Sequence, residues 1–361
     1  MTDAANLFAL VGSRSSRERL GRGPGITTYR VDSANGRLEQ VAVFGDVSNP
    51  SHLVQNRARG KVYAVHGDGD VVSVLGLDAG DGGLRVLQQR KCHGINPVHL
   101  ALAPDSRRLV VSNFEGPEGG SVVVLPVEDD GMLGEHVQRL ALPGTQVPHR
   151  AQPSPSKPHS AVFDPAGRYL LISDKGQDRV YCFRYEAGSF APAAKPWTDT
   201  RPGAGPRVAA FHPGGRHVYV LNDLDSTVTA CRFDSGSGEV VPLQTLSTLS
   251  EQHAGNSGAA AITLSPSGHH LCASNRGDDS IAVFAVDAGT GLLHKVEMTP
   301  SDGRSPRFCT LDPSGTWLYA LNEDSDSICC FRVDRDSGRL RKTHSTRSGS
   351  PLYMTFIQGF P

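Results

Sequence analysis

Pro158–Arg184 reads PHSAVFDPAGRYLLISDKGQDRVYCFR, Pro206–Arg232 reads PRVAAFHPGGRHVYVLNDLDSTVTACR, and Pro306–Arg332 reads PRFCTLDPSGTWLYALNEDSDSICCFR. Each phrase opens on Pro and runs through a short apolar segment to a Pro-Xaa-Gly turn. A second apolar segment closes on Asn or Asp, a third follows, and a Gly-Xaa-Leu turn comes after it in most copies. Weaker copies start at Pro50, Pro97, Ser257 and Pro351, so the seven starts are separated by 47, 61, 48, 51, 49 and 45 residues. A period near 50 built from strand-sized segments fits one four-stranded propeller blade per repeat. Seven starts predict an all-β, seven-bladed β-propeller with four antiparallel strands per blade.

The last copy leaves room for only one strand, PLYMTFI, before Pro361. The missing strands lie at the other end of the chain, where NLFALVGS, GITTYRVD and GRLEQVAVF resemble the second, third and fourth strands of the other copies. The termini are therefore expected to share one blade, making residues 1–361 a single closed domain without free sheet edges. Gly and Pro together supply 64 of the 361 residues, which suits many short strands and tight turns. The 61-residue spacing marks an insertion between Leu142 and Pro158, PGTQVPHRAQPSPSKP, whose five prolines exclude regular helix or central strand. It reads as a surface connection or as a semi-rigid flap over one end of the ring.

Composition narrows the function classes. With 36 Lys+Arg against 37 Asp+Glu the net charge is −1, which argues against a nucleic-acid partner held by bulk charge. Apolar runs such as Val122–Leu125 are strand-sized, far below the ~18 residues that cross a bilayer, so no membrane partner is expected. MTDAANLFAL has neither the basic nor the apolar region of a secretory leader. The seven cysteines are odd in number and form no C-x-x-C pair, which predicts reduced core thiols and a cytoplasmic location. Zinc-helix, Walker, nucleophile-elbow and EF-hand patterns are absent, so neither cofactor nor metal is expected.

Propeller geometry says where a site can form. The start of each first strand and the end of each second strand meet at one mouth of the central channel. The first position carries His159, Arg207 and Arg307, with His52 and His99 one residue later. The second carries Lys175, Asp223, Arg276 and Glu323, each after an Asn or Asp. Chemically capable residues replace one another there while the frame around them stays constant. Several other repeated residues read as structural. Asn113, Asp174, Asn222, Asn275 and Asn322 suit turn formation, and Asp178, Asp225, Asp279 and Asp326 suit turn caps. His212, in place of the Asp of D-P-x-G, falls on the opposite face, and Arg179 reads as an exposed strand-entry residue.

The phrases PHSAVFDPAGRYLLISDKGQDRV, GPRVAAFHP, YVLNDLDSTV and SNRGDDSIAVF resemble the seven-bladed β-propeller lactonase family along the whole chain. That family includes propeller-type 6-phosphogluconolactonases and fungal 3-carboxy-cis,cis-muconate lactonising enzymes. The resemblance implies a catalytic His at His159, two Arg at Arg207 and Arg276, and an acid at Asp223, where many members have Glu. Many members also carry a second His where this chain has Lys157. These four are the positions that the repeat comparison selects, with His52, His99, Lys175, Arg307 and Glu323 as substrate-binding candidates.

The implied chemistry is metal-independent hydrolysis of an anionic, sugar-acid-type lactone such as 6-phosphogluconolactone. His159 would act as acid or base, Asp223 would orient it or serve as the base, and the arginines would hold an oxyanion, carboxylate or phosphate. Two alternatives stand beside it. One is cyclisation of a muconate-type diacid, which uses the same groups in reverse. The other is a non-catalytic binding propeller, although no copy carries the Trp-Asp dipeptide of WD-type repeats.

Overall fold

In the computed structural model, which describes residues 7–78, 82–135, 138–144 and 155–358, the described strands form seven four-stranded antiparallel sheets. The blade begun by Pro158 runs Pro158–Phe163, Tyr169–Asp174, Arg179–Glu186 and Ser189–Asp199 from the inside outward. The other innermost strands are Pro50–Asn56, Ile95–Leu102, Pro206–Phe211, Gly258–Leu264, Pro306–Leu311 and Pro351–Gln358. Each contacts the next around the ring, and Pro351–Gln358 meets Pro50–Asn56 to complete the circuit. The closing blade is composite, as the incomplete last copy implies. Pro351–Gln358 pairs with Leu7–Ser13, and Ile26–Val31 and Leu38–Phe44 lie outside it. No helix among the described residues is long and apolar enough to cross a membrane.

The apolar core lies between blades. Seven clusters alternate around the ring, each drawing on two neighbouring sheets; one joins Leu171 and Cys182 to Val218, Val220 and Phe233. All seven cysteines are buried and unpaired. Burial raises the thiols of Cys92 and Cys330 to about 11 and those of Cys182, Cys231 and Cys309 to about 12, so they pack as small hydrophobes.

The repeated Gly of the Gly-Xaa-Leu turn has a packing cause. Gly36, Gly238, Gly291 and Gly338 adopt φ of +75°, +78°, +72° and +74°. A Cβ there would fall 2.7, 2.5, 2.3 and 2.4 Å from the rings of Trp317, Tyr169, His217 and His270 in the preceding blade. Each turn thus docks on a ring at the start of its neighbour's second strand. The D-P-x-G turns lock that strand locally, because Asp164 accepts from the amides of Arg168 and Tyr169, and Asp312 from those of Thr316 and Trp317. His212 substitutes for this Asp by accepting from Gly214 N, a structural role as expected.

Three local readings change. Asp174 does cap its own turn, accepting from Gly176 N and Gln177 N, but Asn113, Asn275 and Asn322 donate to carbonyls of the connection that enters their blade, and Asn222 donates to the neighbouring strand. Asn113 reaches Cys92 O, Asn222 reaches Thr227 and Thr229, Asn275 reaches Thr248 O, and Asn322 reaches Ser301 O. Their amide N–H groups can donate to these acceptors, whereas a carboxylate accepts only. Asp178, Asp279 and Asp326 take left-handed φ of 52°, 50° and 51°, but in the fourth blade Ser226, not Asp225, holds that position at 49°. Arg179 is not an exposed residue. Its side chain is 17% accessible, lies over Trp197 and binds Asp199 and Pro143 O. Most of the proline-rich insertion, 145–154, lies outside the described residues.

The turn packing yields a stability test. Gly338→Ala combines a left-handed conformation with collision against His270, and is expected to lower the unfolding free energy by roughly 1–3 kcal/mol in urea titrations.

Candidate active site

The geometry of the mouth begins with a β-bulge. In every blade the first strand slips register as it enters the sheet, between Pro50 and His52, Pro97 and His99, Pro158 and Ser160, Pro206 and Val208, Ala259 and Ala261, and Pro306 and Phe308. The closing blade does the same opposite Gly12 and Ser13. The bulged residues are Ser51, Val98, His159, Arg207, Ala260, Arg307 and Leu352. A bulge re-aims side chains, so the bulged residue and the one after it both face the channel. Together they line a central cavity of about 210 Å³ to which every blade contributes. That is below the roughly 300–1,000 Å³ of drug-sized pockets and suits a small metabolite.

The residues that end or follow five of the second strands form a belt of alternating charge at this mouth: Lys175, Asp223, Arg276, Glu323 and Arg14. Asp223 is its centre. One carboxylate oxygen accepts from Lys175 Nζ at 2.6 Å and Arg207 Nη1 at 3.1 Å, and the other from Arg276 Nη2 at 2.9 Å. Arg207 is held further by Nε donating to Ala260 O at 2.8 Å. Two blades on, Glu323 accepts from Arg14 Nε at 2.6 Å and lies 3.7 Å from Arg307 Nη1.

Electrostatics follow from burial. Desolvation alone would raise the Asp223 carboxyl, but Arg207, Arg276 and Lys175 outweigh it and hold the group well below the usual carboxylate range. Burial brings Arg207 down to about 9 against the pull of Asp223, which leaves it cationic at neutral pH. Burial, reinforced by Arg207, Lys175 and Arg307, keeps the His159 imidazole well below its ordinary value and therefore neutral. His159 packs edge-on against Phe114 and, among the described residues, has no hydrogen bond to Asp223. Asp223 is thus an organiser of arginines, and the expectation that it orients His159 is corrected: its oxygens are occupied by cations.

The remaining candidates divide by role. His52 stacks between His99 and Tyr353 with centroids 4.0 and 4.1 Å away, and accepts from Leu100 N at 3.4 Å. His99 is lowered by burial to about 3, so this stack forms a neutral, aromatic wall of the cavity. Lys175 and Glu323 sit in the belt, and Arg307 lines the cavity 3.7 Å from Glu323. The sequence comparison missed Arg14 and Tyr353. Arg14 follows Ser13 at the second-strand end of the composite blade, so aligning NLFALVGS one residue further would have found it. Tyr353 follows from the bulge, which one-dimensional spacing does not reveal. Among the described residues no group of three or more His, Cys, Asp or Glu side chains is placed to hold a metal ion.

The mouth of this closed propeller therefore combines a neutral imidazole with guanidinium groups fixed on a buried carboxylate. The chain is a member of the seven-bladed β-propeller lactonase family, whose profile matches residues 8–356. It is 30% identical over 290 residues to the 6-phosphogluconolactonase of Bacillus subtilis (strain 168), covering 80% of this chain and 81% of that one. A 6-phosphogluconolactonase of Formosa agariphila is 27% identical over 298 residues, covering 79% and 81%. Among solved structures, a periplasmic gluconolactonase of Pseudomonas aeruginosa superposes with a TM-score of 0.88 at 32% identity, covering 97% of this chain and 99% of that one.

The buried histidines give stability a pH dependence. His52, His99 and His159 titrate below their unfolded value near ~6.5. The unfolded chain therefore takes up protons that the folded chain refuses, and stability present above that pH is lost as pH falls. Unfolding free energy should decline between pH 7 and 5, each such histidine contributing up to about 1.4 kcal/mol per pH unit. His52→Phe, which keeps the stack, should flatten its share of the slope in urea titrations at each pH.

Proposed function

We propose that this protein hydrolyses the lactone ring of an anionic sugar acid. The observation that carries the reading is the pair Arg207 and Arg276, both fixed by one Asp223 carboxylate beside the neutral His159. The named activities of the Bacillus and Pseudomonas relatives support it.

In this reading the chemistry needs only these groups and water. A lactone enters with its carbonyl oxygen toward Arg207 and Arg276. His159, unprotonated, takes a proton from a water molecule as its oxygen bonds to the carbonyl carbon. The carbonyl oxygen becomes an alkoxide, and the guanidinium forks stabilise it without reorganising, because Asp223 already holds them in place. The tetrahedral centre collapses, the bond to the ring oxygen breaks, and the imidazolium returns its proton to that oxygen. The product is an open hydroxy acid, whose carboxyl proton goes to solvent. The His52–His99–Tyr353 wall limits water on the far side of the cavity. The buried, unpaired thiols support a cytoplasmic location for this chain.

The test is hydrolysis of 6-phosphogluconolactone and glucono-δ-lactone followed by proton release. Wild type should exceed the spontaneous rate, Arg207→Ala and Arg276→Ala should lose about 10²–10³ in turnover, and His159→Ala should lower kcat more than it raises KM. Because the base is neutral down to well below pH 6.5, kcat/KM should stay level from pH 8 through 6 and fall only in more acidic solution. A wild-type protein that opens neither lactone would remove this reading.

A further inference from the structure

One wall of the cavity carries N–H donors that the hydrolytic steps leave unused. His52 and His99 both line it. The backbone amide of Leu100 donates to Nδ1 of His52 at 3.4 Å, and that of Ala161 donates to Nδ1 of His99 at 3.4 Å. A backbone amide only donates, so each Nδ1 offers its lone pair. Burial keeps both rings neutral, and a neutral imidazole has one N–H, which each ring therefore carries on Nε2. Among the described residues neither Nε2 has a hydrogen-bond partner, and neither is sealed inside the fold as the Nε2 of His253 is.

His99 stands beside the reacting groups. The innermost strand of His159 has that of Arg207 on one side and that of His99 on the other. Ala161, whose amide fixes the His99 ring, lies on the His159 strand itself. On its other side His99 is braced by His52, which stacks on it at 4.0 Å and on Tyr353 at 4.1 Å. The ring is thus held in one tautomer and one orientation, on the side of His159 away from the arginines.

An ester carbon has three neighbours in its plane: the carbonyl oxygen, the ring oxygen and a carbon. With the carbonyl oxygen at Arg207 and Arg276 and the attacking water at His159, one of the other two faces His99. Of these, only the oxygen accepts from an N–H. Resting on the lactonase reading, we infer that Nε2–H of His99 donates to the ring oxygen of the bound lactone and holds it while the carbon–oxygen bond breaks. That hydrogen bond strengthens as the oxygen takes the electron pair of the breaking bond, so it favours the transition state over the bound lactone. The proton that completes the new hydroxyl comes from the His159 imidazolium. His99 keeps its own, because its loss would leave an unpaired buried anion. The position also needs a neutral ring. A protonated His99 would set a second positive charge beside the His159 imidazolium, whereas a neutral imidazole polarises the oxygen without that repulsion.

The test uses the full chain and two variants of opposite chemistry. His99→Phe keeps a flat ring in the stack and loses the N–H, whereas His99→Gln loses the ring and keeps an N–H. On glucono-δ-lactone or 6-phosphogluconolactone, His99→Phe should lower kcat about 10²-fold with KM within about threefold, and His99→Gln should recover about tenfold of that loss. A packing role alone would reverse the order of the two variants and overturn the inference. On the corresponding δ-thiolactone the leaving sulfur is a weak acceptor and a stable thiolate, so His99→Phe should lose less than about fivefold. An equal loss on lactone and thiolactone, or a lactone kcat within about threefold of wild type in His99→Phe, overturns the inference and leaves the lactonase reading standing. A wild type that opens neither lactone removes both. Should neither variant fold, NMR of the ring nitrogens in wild type decides. A His99 proton on Nε2 that shifts on adding 1,5-anhydroglucitol, an unreactive cyclic ether with the same ring oxygen, upholds the inference. A proton on Nδ1, or no shift, overturns it.

Discussion

The antiparallel pairing of Leu7–Ser13 with Pro351–Gln358 joins the two ends of the described chain into one sheet, and the other blades depend on it. Among the described residues no blade has a core of its own. Each apolar cluster is shared between two neighbours, so an open ring would leave one cluster half-built and one sheet face wet. The turn glycines repeat this dependence at the periphery, because each docks on an aromatic or imidazole ring that belongs to the preceding blade. Closure also sets the chemistry, since it brings Arg14 within 2.6 Å of Glu323 across 309 positions of sequence.

A second constraint is the bulge that opens every innermost strand. An unbulged strand sends alternate residues to opposite sides, so one position per blade would face the channel at the mouth. The bulge presents two successive residues, which puts His159, Arg207 and Arg307 beside Tyr353 and the His52–His99 stack. The leading Pro fits this position because a bulged strand entry does not need its missing N–H.

Burial of so much charge is tolerable only as a network. A lone desolvated carboxylate or guanidinium would cost several kcal/mol. Asp223 offsets this by serving three cations at once, and they in turn keep it ionised. The imidazoles take the other course available to a buried base and stay neutral. The same field thus separates roles by chemistry: acids and arginines hold charge, and histidines remain able to accept it.

Much of this was legible in one dimension. A repeat that restates its frame seven times exposes the positions that do not repeat, so His159, Arg207, Asp223, Arg276, Arg307 and Glu323 stood out against constant Pro, Asn and Gly. The truncated final copy, with its missing strands at the start, likewise disclosed the shared blade. Side-chain partnership was not legible, because it depends on distances between blades. Asp223 and His159 share a mouth, yet the carboxylate turns to Arg207, Arg276 and Lys175. Asn222 and Asn275 read as turn formers, but Asn222 donates to the neighbouring strand and Asn275 to the connection that enters its blade. Blade number, ring closure and the residues sent to the mouth follow from periodicity and strand direction along the chain. Which charges pair and which histidines stay neutral emerges in the folded ring, because both depend on desolvation and on contacts that the chain makes after the ring has closed.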